Sequence, residues 1–200
     1  MSQRGAAASA RPSTGRARNE QSRRAILDAA LQLAQHDLGM LTVDQIAARA
    51  GVGKQTIYRW WPSKWAVVLD ALLDRAEREV VAESGGPLQV DLAGFLTSTF
   101  LAITRDGGAG PLLKALMAQA QLDAAFAALW RERFLLPRRQ ALVRLLRAAA
   151  QRGETPPDLD ADVTADLLFG GLWYRLLAGH APLDGAYARQ LAYIVSGSGR

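Results

Sequence analysis

Apolar residues recur at helical spacing over most of the chain, and no segment alternates as a strand would. The first apolar face is formed by Ile26, Leu27, Ala30, Leu31 and Ala34, which lie three and four positions apart. Gly39 is expected to end that helix. With no strand pattern and no internal repeat, the sequence predicts an all-α fold of about nine helices.

Two short helices are predicted next, on either side of a glycine turn. Thr42-Val-Asp-Gln45 has the pattern of a capping box, in which threonine and glutamine side chains satisfy each other's backbone N–H groups. Gly51 ends this second helix, and a third is expected over about Lys54–Trp60. Ser63 can cap a long fourth helix, which ends at Ser84-Gly-Gly-Pro87.

Five more helical stretches follow the fourth. Two begin at Leu88 and Leu112, and the others cover about Asp123–Gln151, Asp160–Ala178 and Asp184–Val195. Pro137 is expected to kink or break the stretch that contains it, because proline removes a helical hydrogen bond. Composition suggests three parts: a disordered basic arm over residues 1–19, a small domain over 20–66 and a larger domain over 67–200.

Composition limits the classes of function. The 200 residues include no cysteine, which excludes disulfides, zinc–thiolate sites and thiol nucleophiles. The longest uncharged apolar stretch, Leu92 to Thr104, has 13 residues and is too short to span a bilayer. No apolar segment follows the first basic residues, so we expect no secretory signal, no membrane partner and a cytoplasmic protein.

The positive charge is concentrated near the N-terminus. Residues 1–65 hold 10 Lys and Arg against 4 Asp and Glu, whereas residues 66–200 hold 14 against 15. This asymmetry predicts a polyanionic partner for the first third of the chain.

The segment Gly51-Val-Gly-Lys-Gln-Thr56 resembles a nucleotide-binding phosphate loop but fails three of its requirements. Gln55 stands where the magnesium-binding hydroxyl belongs, and Ala48 stands at the position of the first glycine. The preceding segment is an amphipathic helix instead of a buried strand. ATP binding is therefore not expected.

A helix-turn-helix accounts for the same residues. Two short helices meet at Gly51, where glycine supplies a left-handed turn, and Val52 plugs the core. The second helix then presents hydrogen-bond donors suited to phosphates and base edges, namely Lys54, Gln55, Thr56, Tyr58 and Arg59. Trp61 and Trp65 are expected to pack in the core. The sequence predicts that this domain binds double-stranded DNA.

Two other functions are alternatives to DNA binding. One is a helical structural or adaptor protein that never binds DNA, and the other, with less support, is a helical enzyme. His36 and His180 each stand alone, without the partners of an acid/base or metal site. The run Asp158, Asp160 and Asp162 starts like a calcium loop, but it lacks the glycine and glutamate that such a loop needs. We therefore predict no catalytic residue, no metal and no cofactor.

The stretch "LTVDQIAARAGVGKQTIYRWWPSKWAVV" resembles the DNA-binding domain of the tetracycline-repressor (TetR) family. The resemblance is specific over about 45 residues, from Arg24 to Leu69, and departs at Gly53, where a serine is usual. It implies that Thr42, Tyr58 and Lys64 contact DNA phosphates. It also implies a transcriptional regulator, in most cases a repressor that binds a palindromic operator as a homodimer and is released by a small ligand.

The C-terminal sequence resembles one branch of the same family more faintly, through "RRQALVRLLRAAAQRGE" and "DLLFGGLWYRLLAGHAPLDGAYARQL". This implies a C-terminal domain for ligand binding and dimerisation. Candidate pocket residues are Phe95, Phe100, Met117, Phe126, Trp130, Trp173 and Tyr174, with polar groups from Thr97, Thr99, Thr104 and Gln119. The candidate dimer interface contains Leu167, Gly170, Gly171, Trp173, Leu177, Leu191 and Ile194. Because cationic side chains are sparse before Arg131, the effector is expected to be largely apolar and not strongly anionic.

Overall fold

The computed structural model describes residues 14–79 and 85–197, and within them helix is the regular secondary structure. The α-helices are α1 Thr14–Asp37, α2 Val43–Ala50, α3 Lys54–Tyr58, α4 Lys64–Glu79, α5 Leu88–Thr104, α6 Gly110–Leu122, α7 Ala124–Trp130, α8 Leu136–Gln151, α9 Ala161–Ala178 and α10 Gly185–Ser196. A π-helical segment, Arg131–Leu135, joins α7 to α8 without a break. The described part of the chain thus holds nine separate helical rods, and the all-α prediction is confirmed.

The start of α1 corrects the predicted boundary of the N-terminal arm. Residues 14–19, assigned to the arm, belong to α1, and residues 1–13 lie outside the described ranges. Glu20 forms ion pairs with Arg24, 3.2 Å away, and with Arg23, 3.9 Å away. Such pairs three and four positions apart stabilise a helix, which helps α1 to begin earlier than its apolar face.

The first three helices pack on α4 around one core. Ile26 and Leu27 from α1, Ile46 from α2, Ile57 from α3 and Leu69 from α4 are all buried in it. This arrangement places α2 and α3 on the surface of a small N-terminal domain.

Helix α4 also packs against the larger domain. It contacts α6 and α7 in addition to α1, and α1 also contacts α6, so both helices join the two parts of the chain. In the larger domain α5 packs along α10, and α8 along α9, around Leu92, Leu96, Leu142 and Leu146. Movements of the C-terminal core can therefore reach the N-terminal domain through α4.

The sequence predicts that Pro137 kinks or breaks its helix, and the structure shows no break at this residue. The irregularity lies one turn earlier, in the π-helical segment, where the N–H of Leu136 donates to the carbonyl of Arg131. The wider turn ends where Pro137, which has no N–H, enters α8 at its first turn, a position that tolerates proline. Among the described residues, no helix combines the length and the apolarity needed to cross a membrane.

Candidate functional site

The turn between α2 and α3 has the geometry predicted from the sequence. The N–H of Gln45 donates to the Thr42 hydroxyl at 3.2 Å, and the N–H of Thr42 donates to the Gln45 side-chain oxygen at 2.8 Å, which completes the capping box. Gly51 is left-handed, with φ of 66°, and the N–H of Val52 donates to the Ala47 carbonyl at 3.0 Å. The bond after the turn fixes where α3 leaves α2.

Helix α3 exposes one polar face and buries the opposite side. Ile57 is fully buried, whereas Gln55, Tyr58 and Arg59 are exposed and Thr56 is half-buried. The guanidinium of Arg59 lies 5.2 Å from the centre of the Trp60 ring. This face offers an amide, hydroxyls and a guanidinium, which suit both phosphate oxygens and base edges.

Lys54, the first residue of α3, forms an ion pair with Asp44 on α2. The hydrogen bond from Lys54 to the Asp44 carboxylate raises the pKa of the lysine above its ordinary value. Both side chains are more than half exposed, so the pair contributes little to stability. A phosphate that binds Lys54 therefore has only a weak internal partner to displace.

Lys64, expected to contact phosphate, makes bonds inside the protein. Its ammonium donates to the carbonyl of Leu41 at 2.7 Å and reaches that of Gly39 at 3.5 Å. It also lies 4.9 Å from the centre of the Trp65 ring. Lys64 thus holds the loop that carries Thr42, and loss of its side chain would disturb that loop as well as any phosphate contact.

Trp61, Asp70 and Arg133 link the two domains. Trp61 and Trp65 both pack on the core, as expected. The indole N–H of Trp61 donates to Asp70 on α4 at 2.8 Å, and the other oxygen of the same carboxylate pairs with Arg133 from the π-helical segment. Asp70 is only 7% exposed. This link is not predictable from local sequence patterns, and its only trace in the sequence is one charged residue, Asp70, within the apolar stretch of α4.

A cavity of about 480 Å³ lies in the C-terminal domain, between α4, α5, α6, α9 and the rod that contains the π-helical segment. Its walls are largely apolar and include Leu72, Leu113, Met117, Phe134 and Trp173. Volumes of about 300–1,000 Å³ with mostly apolar walls are typical of small-molecule sites.

The cavity contains part of the predicted pocket set. Met117, Trp173 and Thr99 line it. Its lining does not include the other candidates, namely Phe95, Phe100, Phe126, Trp130, Tyr174, Thr97, Thr104 and Gln119. Phe100 instead stacks on Tyr187 of α10, with ring centres 5.8 Å apart, and Trp130 stacks on Phe134 at 4.2 Å. Helical periodicity identifies buried aromatics, but it cannot tell a filled core from a cavity wall.

Four arginines line this cavity, and none of them is among the pocket residues predicted from the sequence. They are Arg75 of α4, Arg131 of the π-helical segment, and Arg138 and Arg139 of α8. Arg139 is bound to Asp162 and Asp166, each at 2.7 Å, and these bonds raise its pKa and lower the pKa of both carboxyl groups. Arg131, Arg138 and Arg139 lie close together on one continuous rod, and only the folded chain brings Arg75 of α4 to the same cavity.

The predicted dimer residues fall into two groups. Leu167, Gly170, Leu177 and Ile194 are exposed on α9 and α10. The other three face into the subunit: a side chain at Gly171 would meet the Tyr187 hydroxyl at 2.5 Å, Trp173 lines the cavity, and Leu191 packs against the core. The exposed group continues into Val163 and Tyr174, which share one face of α9 with Leu167.

No group of three or more His, Cys, Asp or Glu side chains in the described ranges is placed to hold a metal ion. Asp160, from the run that starts like a calcium loop, accepts from the N–H groups of Asp162 and Val163 and caps α9. Asp162 is bound to Arg139 and Arg147.

Comparisons with known proteins assign both domains to one family. Residues 26–71 match the family described as bacterial regulatory proteins, tetR family, and residues 82–195 match tetracyclin repressor-like, C-terminal domain. An uncharacterized HTH-type transcriptional regulator of Bacillus subtilis, YdeS, is 38% identical over 88% of this chain and 89% of its own length. A DNA-binding transcriptional repressor of Mycobacteroides abscessus, TetR, is 31% identical over 88% of this chain and 92% of its own.

A solved structure of similar sequence has the same fold. The TetR family transcription regulator SCO0332 superposes with a TM-score of 0.74, at 33% identity, covering 86% of this chain and 95% of that one.

Proposed function

The chain belongs to the tetracycline-repressor family of DNA-binding transcriptional regulators, and from this premise we propose that it is a homodimeric repressor released from a palindromic operator by a small, largely apolar ligand. The family consists of regulators and not of enzymes. A regulator of this class acts on chromosomal DNA, and we place the protein in the cytoplasm with the nucleoid.

The exposed polar face of α3 is the observation that carries the operator proposal. Gln55, Tyr58 and Arg59 project from a short helix whose position is fixed by the buried Ile57 and by the left-handed Gly51 turn. A helix presented in this way can enter the major groove, while Thr42 and Lys54 lie at the starts of α2 and α3, where anions are favoured. We infer that α3 reads bases and that the helix starts contact phosphates.

The exposed apolar stripe on α9 and α10 supports a dimer. Leu167 of α9 and Ile194 of α10 are each 71% exposed, and Val163, Tyr174 and Leu177 lie on the same face of α9 as Leu167. Contiguous apolar surface of this kind marks an interaction site in soluble proteins. Gly170 lies within the stripe with open space where a side chain would be, so a second α9 could approach closely. We place α9 and α10 of both subunits in a four-helix interface.

The position of the cavity suggests how a ligand could release DNA. Leu72 and Arg75 of α4 line it, and α4 begins in the DNA-binding domain. A ligand that fits one position of α4 better than another shifts the population of the two. Two recognition helices must reach major grooves about 34 Å apart, so a small swing of α4 would disrupt the fit.

The operator proposal is tested by footprinting on the DNA next to the gene, followed by binding measurements against salt. Each phosphate contact contributes about 0.9 to the slope of log K against log salt, so Lys54→Gln should lower the slope of a dimer by about 1.8. Tyr58→Phe should weaken binding and leave the slope unchanged. Lys114→Gln, which removes an exposed charge on α6, is the matched control and should change neither quantity.

Equal slopes for Lys54→Gln and Lys114→Gln would show that α3 does not face the DNA. A helical adaptor would give no protected site and no salt-dependent binding at all.

A further inference from the structure

The cavity proposed as the effector site combines apolar walls with more positive charge than the protein itself neutralises. Its lining holds four arginines and one carboxylate, that of Asp166. Two of the arginines are already engaged: Arg139 binds Asp162 and Asp166, and Arg75 donates to the Gly107 carbonyl at 2.9 Å. Arg131 and Arg138 remain, and no carboxylate of the described residues lies within ion-pair distance of either.

Arg138 stands in an environment that disfavours its charge. Its guanidinium lies 3.9 Å from the centre of the Phe134 ring and makes a long hydrogen bond of 3.5 Å to the Phe134 carbonyl. Burial lowers its pKa below the ordinary value of an arginine, although the group stays charged at neutral pH. The ring contact offsets part of the desolvation but supplies no counter-ion. A partly buried guanidinium of this kind is stabilised by an anion.

A second polar group near the cavity also lacks a partner. The indole N–H of Trp130 is buried without a hydrogen-bond acceptor among the described residues. The Trp130 ring stacks on Phe134 at 4.2 Å and meets Trp173 at 6.3 Å, and both of these neighbours line the cavity. A buried donor without an acceptor is destabilising, and this one lies directly behind two rings of the cavity wall.

We propose that the effector is an apolar carboxylate, with its hydrocarbon body against Leu113, Met117 and Trp173 and its carboxylate bound by Arg138 at the α8 side of the cavity. The planar guanidinium matches a carboxylate with two parallel hydrogen bonds. Arg131, exposed on the same side, adds a second positive charge. The carboxylate proposal rests on the proposed function, in which the cavity is the effector site. It replaces the sequence-based expectation that an anionic ligand would find no partners in the C-terminal domain.

The test uses the full-length protein and matched probes. Hexanoate, octanoate and decanoate are compared with the alcohols of the same chain lengths by calorimetry and by release of operator DNA. We expect at least one acid to bind with a Kd below 1 mM and to bind at least tenfold more tightly than its alcohol. Arg138→Gln should weaken binding of the acid by about 10- to 100-fold and leave the alcohol unchanged, as expected for the loss of a charged hydrogen bond.

Arg144→Gln is the control, because Arg144 is exposed on α8 and does not line the cavity. Operator binding without ligand is measured for every variant. If the wild-type protein does not bind DNA, the regulator proposal itself fails, and this result is distinct from a failure of the carboxylate proposal. With DNA binding intact, three results each overturn the carboxylate proposal: no acid binding below 1 mM, equal affinity for acid and alcohol, or equal loss in Arg138→Gln and Arg144→Gln.

Discussion

Replacement of Asp70 should show how strongly the DNA-binding domain is fixed to the rest of the protein. Asp70 is buried on α4, accepts the Trp61 indole N–H at 2.8 Å and pairs with Arg133 of the π-helical segment. Asp70→Ala removes both contacts. Asp70→Asn keeps an acceptor for the indole N–H and removes only the negative charge that pairs with Arg133.

The two contacts differ in expected size. Trp61 is 3% exposed, so its N–H would be left buried without an acceptor in Asp70→Ala, which costs about 1–3 kcal/mol. The Arg133 side chain is 41% exposed and can return to water, so its contribution is discounted to about 0.2–1 kcal/mol. The expected loss of unfolding free energy is therefore about 1–4 kcal/mol for Asp70→Ala, and about 1 kcal/mol or less for Asp70→Asn.

Urea unfolding at one fixed protein concentration measures these losses, since the stability of a dimer depends on concentration. A double-mutant cycle of Asp70→Ala with Trp61→Phe should give a coupling energy of about 1–2 kcal/mol. Asp28→Ala, an exposed carboxylate on α1, is the control and should stay within about 0.5 kcal/mol of wild type. Equal losses for Asp70→Ala and Asp70→Asn would refute the dominant role given to the indole bond.

Three further predictions concern other parts of the molecule. Gly51→Ala should lower the free energy of unfolding in urea by about 1 kcal/mol, because alanine disfavours the left-handed backbone at this position and no atom lies near the added carbon. Gly53→Ala, where φ is −76°, is the control and should cost less, so equal losses for the two variants would contradict this reasoning. Ile194→Arg should yield monomers in sedimentation, whereas the control Leu122→Arg should stay dimeric, since Leu122 is 83% exposed on α6. A dimeric Ile194→Arg variant would show that the interface lies elsewhere. Hydrogen bonds from Arg152 and from the Leu88 N–H lower the pKa of Glu154 in the folded protein. The carboxylate therefore stabilises the fold fully above its unfolded pKa of about 4.3, and this stabilisation is lost as the pH falls through the lower folded pKa. The free energy of unfolding, measured from pH 6 to 3, should depend less on pH in Glu154→Gln, and a profile equal to that of the wild type would refute this role of Glu154.

Local signals in the sequence were enough to predict the helices and the DNA-binding turn. The capping box at Thr42 and Gln45, the left-handed Gly51 and the Ser63 cap all depend on residues within a few positions of one another. Their hydrogen bonds form within one turn, so neighbouring residue types determine them. The start of α1 was misplaced because its first turns carry no apolar stripe.

The sequence also predicted an exposed apolar surface on the last two helices, but not which residues form it. Leu167 and Leu191 have the same side chain and lie on helices of similar periodicity, yet one is exposed and the other packs on the core. Gly171, expected in the interface, is small because Tyr187 of α10 leaves no room for a side chain.

The sequence by itself determined the fold class, the helix-turn-helix and the polar face of α3, because these arise from contacts between residues close in the chain. Only the tertiary structure decided the character of the cavity and the link between the domains. Asp70 and Arg133 are 63 positions apart, and the cavity brings Arg75 of α4 to the arginines of the distant rod that contains the π-helical segment and α8. Helical periodicity gives only the face of a helix on which an arginine lies. The packing of the helices decides whether that arginine is paired in solvent or lies beside an apolar wall without a counter-ion.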